Sequence, residues 1–451
     1  MRILIIGAGE VGYHIASRLN QEQHDIVVVD REAEVVERIQ EELDVIAIQG
    51  QGSRPETLER AGITQMDVLL AVTHSDDVNL VACLLARQNG VSTRMARIND
   101  PDFRDSPLLE AGKHIGIDLM INPSHAVAEE IGQLIHTPGA EEAAEFLDGR
   151  VKLFSFRVSS FAPIVRQRVR EVGARFAGAP PSVIAAIRRG QETIIPNGDT
   201  IIESDDHLLL IGKDSEIQAN LHLLGVSNRQ SRRILIIGGG QVGFCVAHAL
   251  EQEKVKYDVK IIEHDTERCK MLADLLSRTL VLQGDATDIK VLMEEGVADM
   301  DMVITVTNDE GTNLIAALLA KTHGAKEVIT LIKRPDLVPL VATLGIDAAI
   351  SPRLITADAI LRHLRRGQVQ SMFTSLSTEA EILEMVAMPR AKIVGKPLHK
   401  IKMPQSMIIG AVMHGEDVVV PRGDTVIQAH DRVIVFALPK VVPQATRLFT
   451  G

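Results

Sequence analysis

Two short stretches of this chain have the residue types and spacing to hold a phosphate. Gly7-Ala8-Gly9-Glu10-Val11-Gly12 follows the apolar run Ile3–Ile6, and Gly238-Gly239-Gly240-Gln241-Val242-Gly243 follows Ile234–Ile237. In a G-x-G-x-x-G turn the first glycine allows the tight bend, the second lets backbone approach a pyrophosphate, and the third lets the next helix pack closely on the strand. That helix offers free N–H groups and a partial positive charge to the phosphates. An acid completes each set: Asp30 ends "IVVVD" eighteen residues past Gly12, and Glu263 ends "VKIIE" twenty past Gly243. A carboxylate there accepts the ribose hydroxyls of an adenosine and repels a 2′-phosphate, so both sites favour NAD(H), ATP or ADP over NADP.

Further candidates follow the fourth strand of each copy. "THSDDVN" places Thr73 and His74, and "TNDEGTN" places Thr307 and Asn308, at the carboxyl end of the sheet, where ligands of open α/β folds lie. His74 reads equally well as a pocket lining or as a surface residue. Ser75 and Asp309 suit helix capping, and Asp76, Asp77 and Glu310 suit the first turn of the helix that follows, as partners of its dipole rather than catalysts. Arg97 is a cation that can meet phosphate bidentately, and it aligns with Leu331, so only the first copy has it unless Lys333 substitutes. Arg31 reads as a solvated residue at a helix start.

The elements that must position these groups also come twice. "MDVLLAVTHSDDVNLVACLLARQNG" from Met66 parallels "MDMVITVTNDEGTNLIAALLAKTHG" from Met300, and "GIDLMINPSHAV" from Gly116 parallels "GIDAAISPRLIT" from Gly345. Each copy alternates short β-branched runs with helical segments, the pattern of βαβ units around a parallel sheet. The fold class is therefore α/β, with two Rossmann-like, doubly wound parallel-sheet domains. "IIPNGDTIIESDDHLLLIG" from Ile194 and "VVVPRGDTVIQAHDRVIVF" from Val418 each read as strand, turn and strand, so a small mixed α/β domain follows each Rossmann unit. The expected domains are residues 1–140, 141–228, 229–368 and 369–451, joined near Pro138-Gly139 and Gly367 after amphipathic helices.

Composition narrows the function. Among the 451 residues the net charge is −12, which speaks against a protein that binds nucleic acid by neutralising phosphates. "MRILIIGAGE" runs directly into a strand without a signal-peptide pattern, and no uncharged apolar run approaches the roughly 20 residues that span a bilayer, so a cytoplasmic location is expected. Cys83, Cys245 and Cys269 lack metal-ligand spacing and read as reduced, core-type residues. A P-loop, HExxH and CxxC are absent from the sequence, and neither Tyr13 nor Tyr257 has a lysine four residues later, so no catalytic constellation is legible.

"GAGEVG", "VVVD", "QGQGSRPETLERAG", "LLAVTHSDDVNLVAC", "ARINDPD" and "LIHTPGAEEAAEF" together resemble the TrkA family of bacterial Trk potassium-uptake regulators, with tandem RCK units, over essentially the whole chain. The resemblance implies a non-enzymatic, peripheral protein on the cytoplasmic face of the inner membrane. Such a protein self-associates as a dimer or tetramer ring on a TrkH/TrkG-like channel subunit and adjusts its gating on binding NAD(H) or ATP/ADP. It places nucleotide contacts at Gly7 to Gly12, Asp30, Thr73, His74 and Arg97, and at Gly238 to Gly243, Glu263, Thr307 and Asn308. An NAD-dependent oxidoreductase, or a soluble nucleotide or redox sensor with another partner, is the alternative reading of the residues.

Overall fold

The computed structural model describes all residues except 22–23, 101–102, 104–115, 138, 176–181, 191, 214–231, 335–336, 365–368, 376–379, 405 and 451. The expected joins at Pro138 and Gly367 lie outside the described residues.

The first apolar runs build a six-stranded parallel sheet. Its strands are β1 (Arg2–Ile6), β2 (Asp25–Asp30), β3 (Ile46–Gln49), β4 (Val68–Ala71), β5 (Thr93–Arg97) and β6 (Leu119–Ile121), in the order β3-β2-β1-β4-β5-β6. β1 lies in the middle, paired to β2 and β4, and Ile3 to Ile6 are all buried. A central parallel strand is covered on both faces, which is why it reads as an unbroken apolar run rather than an alternation. The chain crosses over between β3 and β4, so the neighbours β1 and β4 mark the point where strand order reverses and their carboxyl ends open a crevice.

Helices α1 (Glu10–Gln21), α2 (Ala33–Glu42), α3 (Pro55–Arg60) and α4 (Asp76–Gln88) cover this sheet. Val11, Ile15 and Leu19 of α1 are buried, as their four-residue spacing requires, and burying a side chain such as Ile15 contributes roughly 1.5–3 kcal/mol. Helix α5 (Pro123–His136) then leads into an antiparallel sheet of β7 (Glu142–Phe146), β8 (Val151–Arg157), β9 (Val183–Arg189), β10 (Glu192–Ile194) and β11 (His207–Gly212), ordered β10-β9-β11-β8-β7, with α6 (Val169–Arg175) beside it in sequence.

The second copy repeats the plan. Strands β12 (Arg233–Ile237), β13 (Asp258–Glu263), β14 (Leu280–Gln283), β15 (Met302–Thr305), β16 (Glu327–Leu331) and β17 (Ala348–Ile350) form a parallel sheet ordered β14-β13-β12-β15-β16-β17. Its helices are α7 (Gln241–Gln252), α8 (Thr266–Leu275), α9 (Ile289–Glu294), α10 (Glu310–Thr322), α11 (Val338–Thr343) and α12 (Pro352–Leu364). A second antiparallel sheet holds β18 (Val369–Thr374), β19 (Glu381–Val386), β20 (Met407–His414), β21 (Asp417–Val419) and β22 (Arg432–Ala437), and helix α13 (Val442–Thr450) ends the chain. The α/β class with two Rossmann-like domains and two small sheet domains is what the sequence pattern predicts.

The chain forms two compact units that do not follow sequence order. The first joins residues 1–126 to the late helix α12, which packs on α1 and β6. The second holds the rest, including most of α5, whose His136 hydrogen-bonds Glu253 (3.1 Å) and Tyr257 (3.4 Å) just beyond α7. The terminal helix of the second repeat thus packs against the first repeat's sheet, and most of α5 belongs to the unit that holds the second repeat's sheet. Within the second unit the two antiparallel sheets share one core, in which Phe146, Leu153, Leu209 and Ile211 meet Ile382, Ile434 and Phe436.

Candidate functional sites at the two glycine turns

Gly7 leaves β1 with φ near +98° and its N–H donates to Val29 O at 2.8 Å, which ties the turn to β2. A Cβ at Gly7 would lie 2.9 Å from Thr73 Cγ2, and one at Gly12 would lie 1.9 Å from Gly7 O. These two positions exclude any side chain, the first by its left-handed backbone and both by contact. Gly9 differs: a Cβ there meets nothing nearer than His74 Nε2 at 4.0 Å. The turn packs tightly where it must close on the sheet and stays open where a pyrophosphate would come against its backbone, so these residues fit a bound nucleotide.

The second copy has the same geometry. Gly238 has φ near +107°, a Cβ at Gly243 would sit 2.0 Å from Gly238 O, and a Cβ at Gly240 would meet nothing within 4 Å. The residues between differ. Ala8 is fully buried in the first turn, whereas at Gly239 a Cβ would run into Leu272 Cδ1 at 2.4 Å. Glu10 is exposed and Val11 buried in the first turn, while Gln241 and Val242 are half-buried in the second.

Both acids reach their turns. Asp30 Oδ2 accepts the Ala8 N–H at 2.6 Å and Glu263 Oε2 accepts the Gly239 N–H at 2.7 Å. Asp30 Oδ1 accepts one further amide, from Glu32 at 3.0 Å. Glu263 is more fully engaged: its Oε1 accepts the amides of His264 (2.8 Å) and Asp265 (3.0 Å) and faces His264 Nδ1 at 2.6 Å. Burial would raise its pKa, but the three amides and the His264 ring outweigh that and leave it below the ordinary carboxylate value. Arg268 of α8 also closes on this turn, donating from Nε to Gly239 O at 2.7 Å.

Thr73 and Thr307 lie at the carboxyl ends of β4 and β15, each beside its first glycine. His74 and Asn308 follow them, exposed at the rim. Sequence reasoning missed what holds them there. Asn79 Oδ1 accepts both the N–H (3.0 Å) and the Oγ1 (2.7 Å) of Thr73, and its Nδ2 donates to Thr73 O (3.1 Å) and Arg97 O (2.8 Å). Asn313 does the same for Thr307 and Leu331 O. Both asparagines are fully buried. The signal was available, since each is the sixth residue after its threonine in "THSDDVN" and "TNDEGTN".

The acids of the following helix turn are structural, and so are the caps. Ser75 Oγ accepts from Val78 N and Asp309 Oδ1 from Thr312 N. Asp76 accepts the amides of Asn99 and Asp100, while Glu310 accepts those of Lys333 and Arg334, so each pins the loop after the fifth strand. The cations lie beside it, Arg97 as the last residue of β5 and Lys333 on the loop after β16. Arg97 is half-buried, donates from Nε to Asn99 Oδ1 at 3.2 Å, and has its pKa lowered by desolvation with Asp76 opposing. Among the described residues it makes no ion pair. In the second copy Leu331 is buried and Lys333 reaches back to Asn308 O at 2.6 Å.

The model for the TrkA-N domain matches residues 3–123 and 234–352, and that for the TrkA-C domain matches 153–225 and 382–450. The Trk system potassium uptake protein TrkA homolog 1 of Methanosarcina mazei is 37% identical over 456 residues, covering 100% of both chains. The chain belongs to the TrkA family. Two solved structures resemble this TrkA-family chain at 19% identity, which speaks to fold. The GsuK RCK domain has a TM-score of 0.61, covering 99% of this chain and 94% of that one, and the GsuK channel bound to NAD has 0.60, covering 99% and 78%. The tandem RCK layout of the TrkA-family chain is thereby established along with its Rossmann-like sheets. No helix among the described residues is long and apolar enough to cross a membrane.

Proposed function

We propose that this chain is a nucleotide-sensing regulatory subunit of a Trk-type potassium uptake system, without catalytic activity of its own. It sits on the cytoplasmic face of the inner membrane through a TrkH/TrkG-like channel subunit and self-associates as a dimer or tetramer ring. Its working parts are the domains 1–140, 141–228, 229–368 and 369–451. NAD(H), or ATP/ADP, binds at Gly7 to Gly12 with Asp30, Thr73, His74 and Arg97, and at Gly238 to Gly243 with Glu263, Thr307 and Asn308.

The observation that carries this reading is the doubled turn in which the outer glycines are sterically obligatory and the middle one faces open space. The acid hydrogen-bonded to each turn supports it, and so does the half-buried Arg97 at the first. Family membership supports the potassium-transport context, and the NAD-bound relative in fold supports the choice of cofactor. A ligand shifts a ring only by binding one arrangement better than another, and two unlike pockets per chain let the ring register nucleotide state at two kinds of site.

Calorimetric titration of the full chain with NADH, NAD, ATP and ADP, repeated on Asp30→Ala and Glu263→Ala variants, tests the reading. The expected result is the loss of one site per chain in each variant, followed by altered nucleotide control of potassium flux. Binding of none of the four by the parent chain refutes it.

A further inference from the structure

The two acids that end β2 and β13 are not equally free to meet a ligand. An ionised carboxylate only accepts hydrogen bonds, and it has about four lone-pair sites, two to an oxygen. Asp30 uses one on each oxygen, for the Ala8 N–H on Oδ2 and the Glu32 N–H on Oδ1. One site therefore stays open on each oxygen, enough for both hydroxyls of a ribose. Glu263 is filled from its own chain: Oε2 takes the Gly239 N–H, while Oε1 takes the His264 and Asp265 amides and the His264 ring from Nδ1. We propose that the second pocket binds a nucleotide by its phosphates without reading the ribose hydroxyls, whereas the first pocket reads both. The proposal rests on the nucleotide-binding reading above and divides it between the two pockets.

Three observations carry it. Oε1 of Glu263 has more donors than lone pairs, and two of them are backbone amides of the residues that follow β13. Swinging the His264 ring away would still leave both amides in place, so a ribose gains no second acceptor. Next, the Glu263 side chain is only 8% exposed, with the 86% exposed His264 ring against it. In the first copy the residue after the acid turns elsewhere: Arg31 donates from Nε to Glu32 at 2.9 Å, and Asp30 is half-buried rather than buried.

The phosphate end, by contrast, is open in both copies. A Cβ at Gly240 would meet nothing within 4 Å, as at Gly9 nothing lies nearer than 4.0 Å. The Gly239 peptide is held at both ends, its N–H by Glu263 and its carbonyl by Arg268 Nε at 2.7 Å. Glu263 is thus a positioning residue, which serves the second pocket by fixing the turn that faces the phosphates.

Calorimetric titration with ATP and with 2′,3′-dideoxy-ATP, which lacks both hydroxyls, tests this on the full chain and on its Asp30→Ala and Glu263→Ala variants. Glu263→Ala leaves the first site, which is expected to prefer ATP by at least about tenfold, the worth of a hydrogen bond to a charged group. Asp30→Ala leaves the second site, which is expected to bind both nucleotides within about threefold of each other. A tenfold preference at the second site, or no ATP binding by folded Asp30→Ala, overturns the proposal. If a variant does not fold, the parent decides alone: dideoxy-ATP should weaken at one of its two sites and hold at the other, and equal ratios at both overturn the proposal. A parent chain that binds neither nucleotide overturns the nucleotide reading and this proposal together, whereas a parent whose two sites treat the pair alike overturns only this one.

Discussion

Asn79 and Asn313 show how much a single buried amide can organise. Each engages its side-chain oxygen and nitrogen on backbone and hydroxyl groups of the crevice, so the threonine and the end of the fifth strand are tied together by one residue. A buried amide left without those partners costs about 1–3 kcal/mol per group, which makes the arrangement all-or-none. Glu327 is the opposite case. It opens β16 with a carboxyl whose pKa is raised from 4.5 to about 7, first by burial, with the Gly139 N–H and Lys321 opposing and Asp347 and Asp301 adding to the rise. The sign follows from proton counting. Below about pH 4.5 folded and unfolded chains both hold the proton; between there and about pH 7 the folded chain holds more, so stability falls as pH rises; above that the full cost is present. Replacing Glu327 by Gln is expected to stabilise the second unit by on the order of 3 kcal/mol at pH 8. It should make no difference below pH 4.5. Asp347, also raised by burial and opposed by Lys321, keeps part of the pH slope in both proteins. Urea unfolding of parent and Glu327→Gln across pH 4–8 checks this, and parallel curves would exclude it.

At the level of elements, the two antiparallel sheets are joined by charge as well as by their common core. Arg432 of β22 donates from Nε to Glu384 at 2.6 Å and from Nη1 to Asp148 at 2.5 Å, and Glu384, which is 1% exposed, also accepts the Leu147 N–H at 3.0 Å. Removing one partner strands the other charge inside. Arg432→Met is therefore expected to destabilise the second unit by about 3–5 kcal/mol, and adding Glu384→Leu to recover much of that loss. Chemical denaturation of the single and double variants decides, and additive losses would contradict the pairing. No sequence pattern reveals this pair, since Asp148 and Arg432 are 284 positions apart. What was legible was local: the apolar run of β1, the glycine spacing, the acid that ends β2 and the repetition of all three. The carboxyl-end position of Thr73 followed from sheet topology. The helix exchange did not, because the apolar faces of α5 and α12 specify that something must cover them without saying which sheet. Glu263 illustrates the same limit. Its position was readable, but not that its own following amides and His264 would occupy it, because that depends on how the chain turns after β13.

For the molecule as a whole, the exchange of terminal helices changes which segments should respond to which ligand. Helix α12 follows the second sheet in sequence yet belongs to the first unit, and most of α5 follows the first sheet yet belongs to the second. A ligand that binds only the folded form of a unit stabilises all of that unit, by RT ln(1 + [L]/Kd), or about 2.7 kcal/mol at one hundred times Kd. Amide hydrogen exchange reports such stabilisation segment by segment, because protection tracks the free energy of the opening that exposes each amide. If nucleotide occupies the pocket at Asp30, the slowing should appear in α1 and in α12, more than 300 residues later in the chain. If it occupies the pocket at Glu263, the slowing should appear in α7 and in the part of α5 beyond Ala126. With saturating nucleotide, Asp30→Ala should therefore lose the protection of α12 and keep that of α5, while Glu263→Ala should do the reverse. If each pocket instead protects the helix next to it in sequence, the exchange does not persist in solution. If both helices respond equally to either pocket, the two units act as one cooperative body.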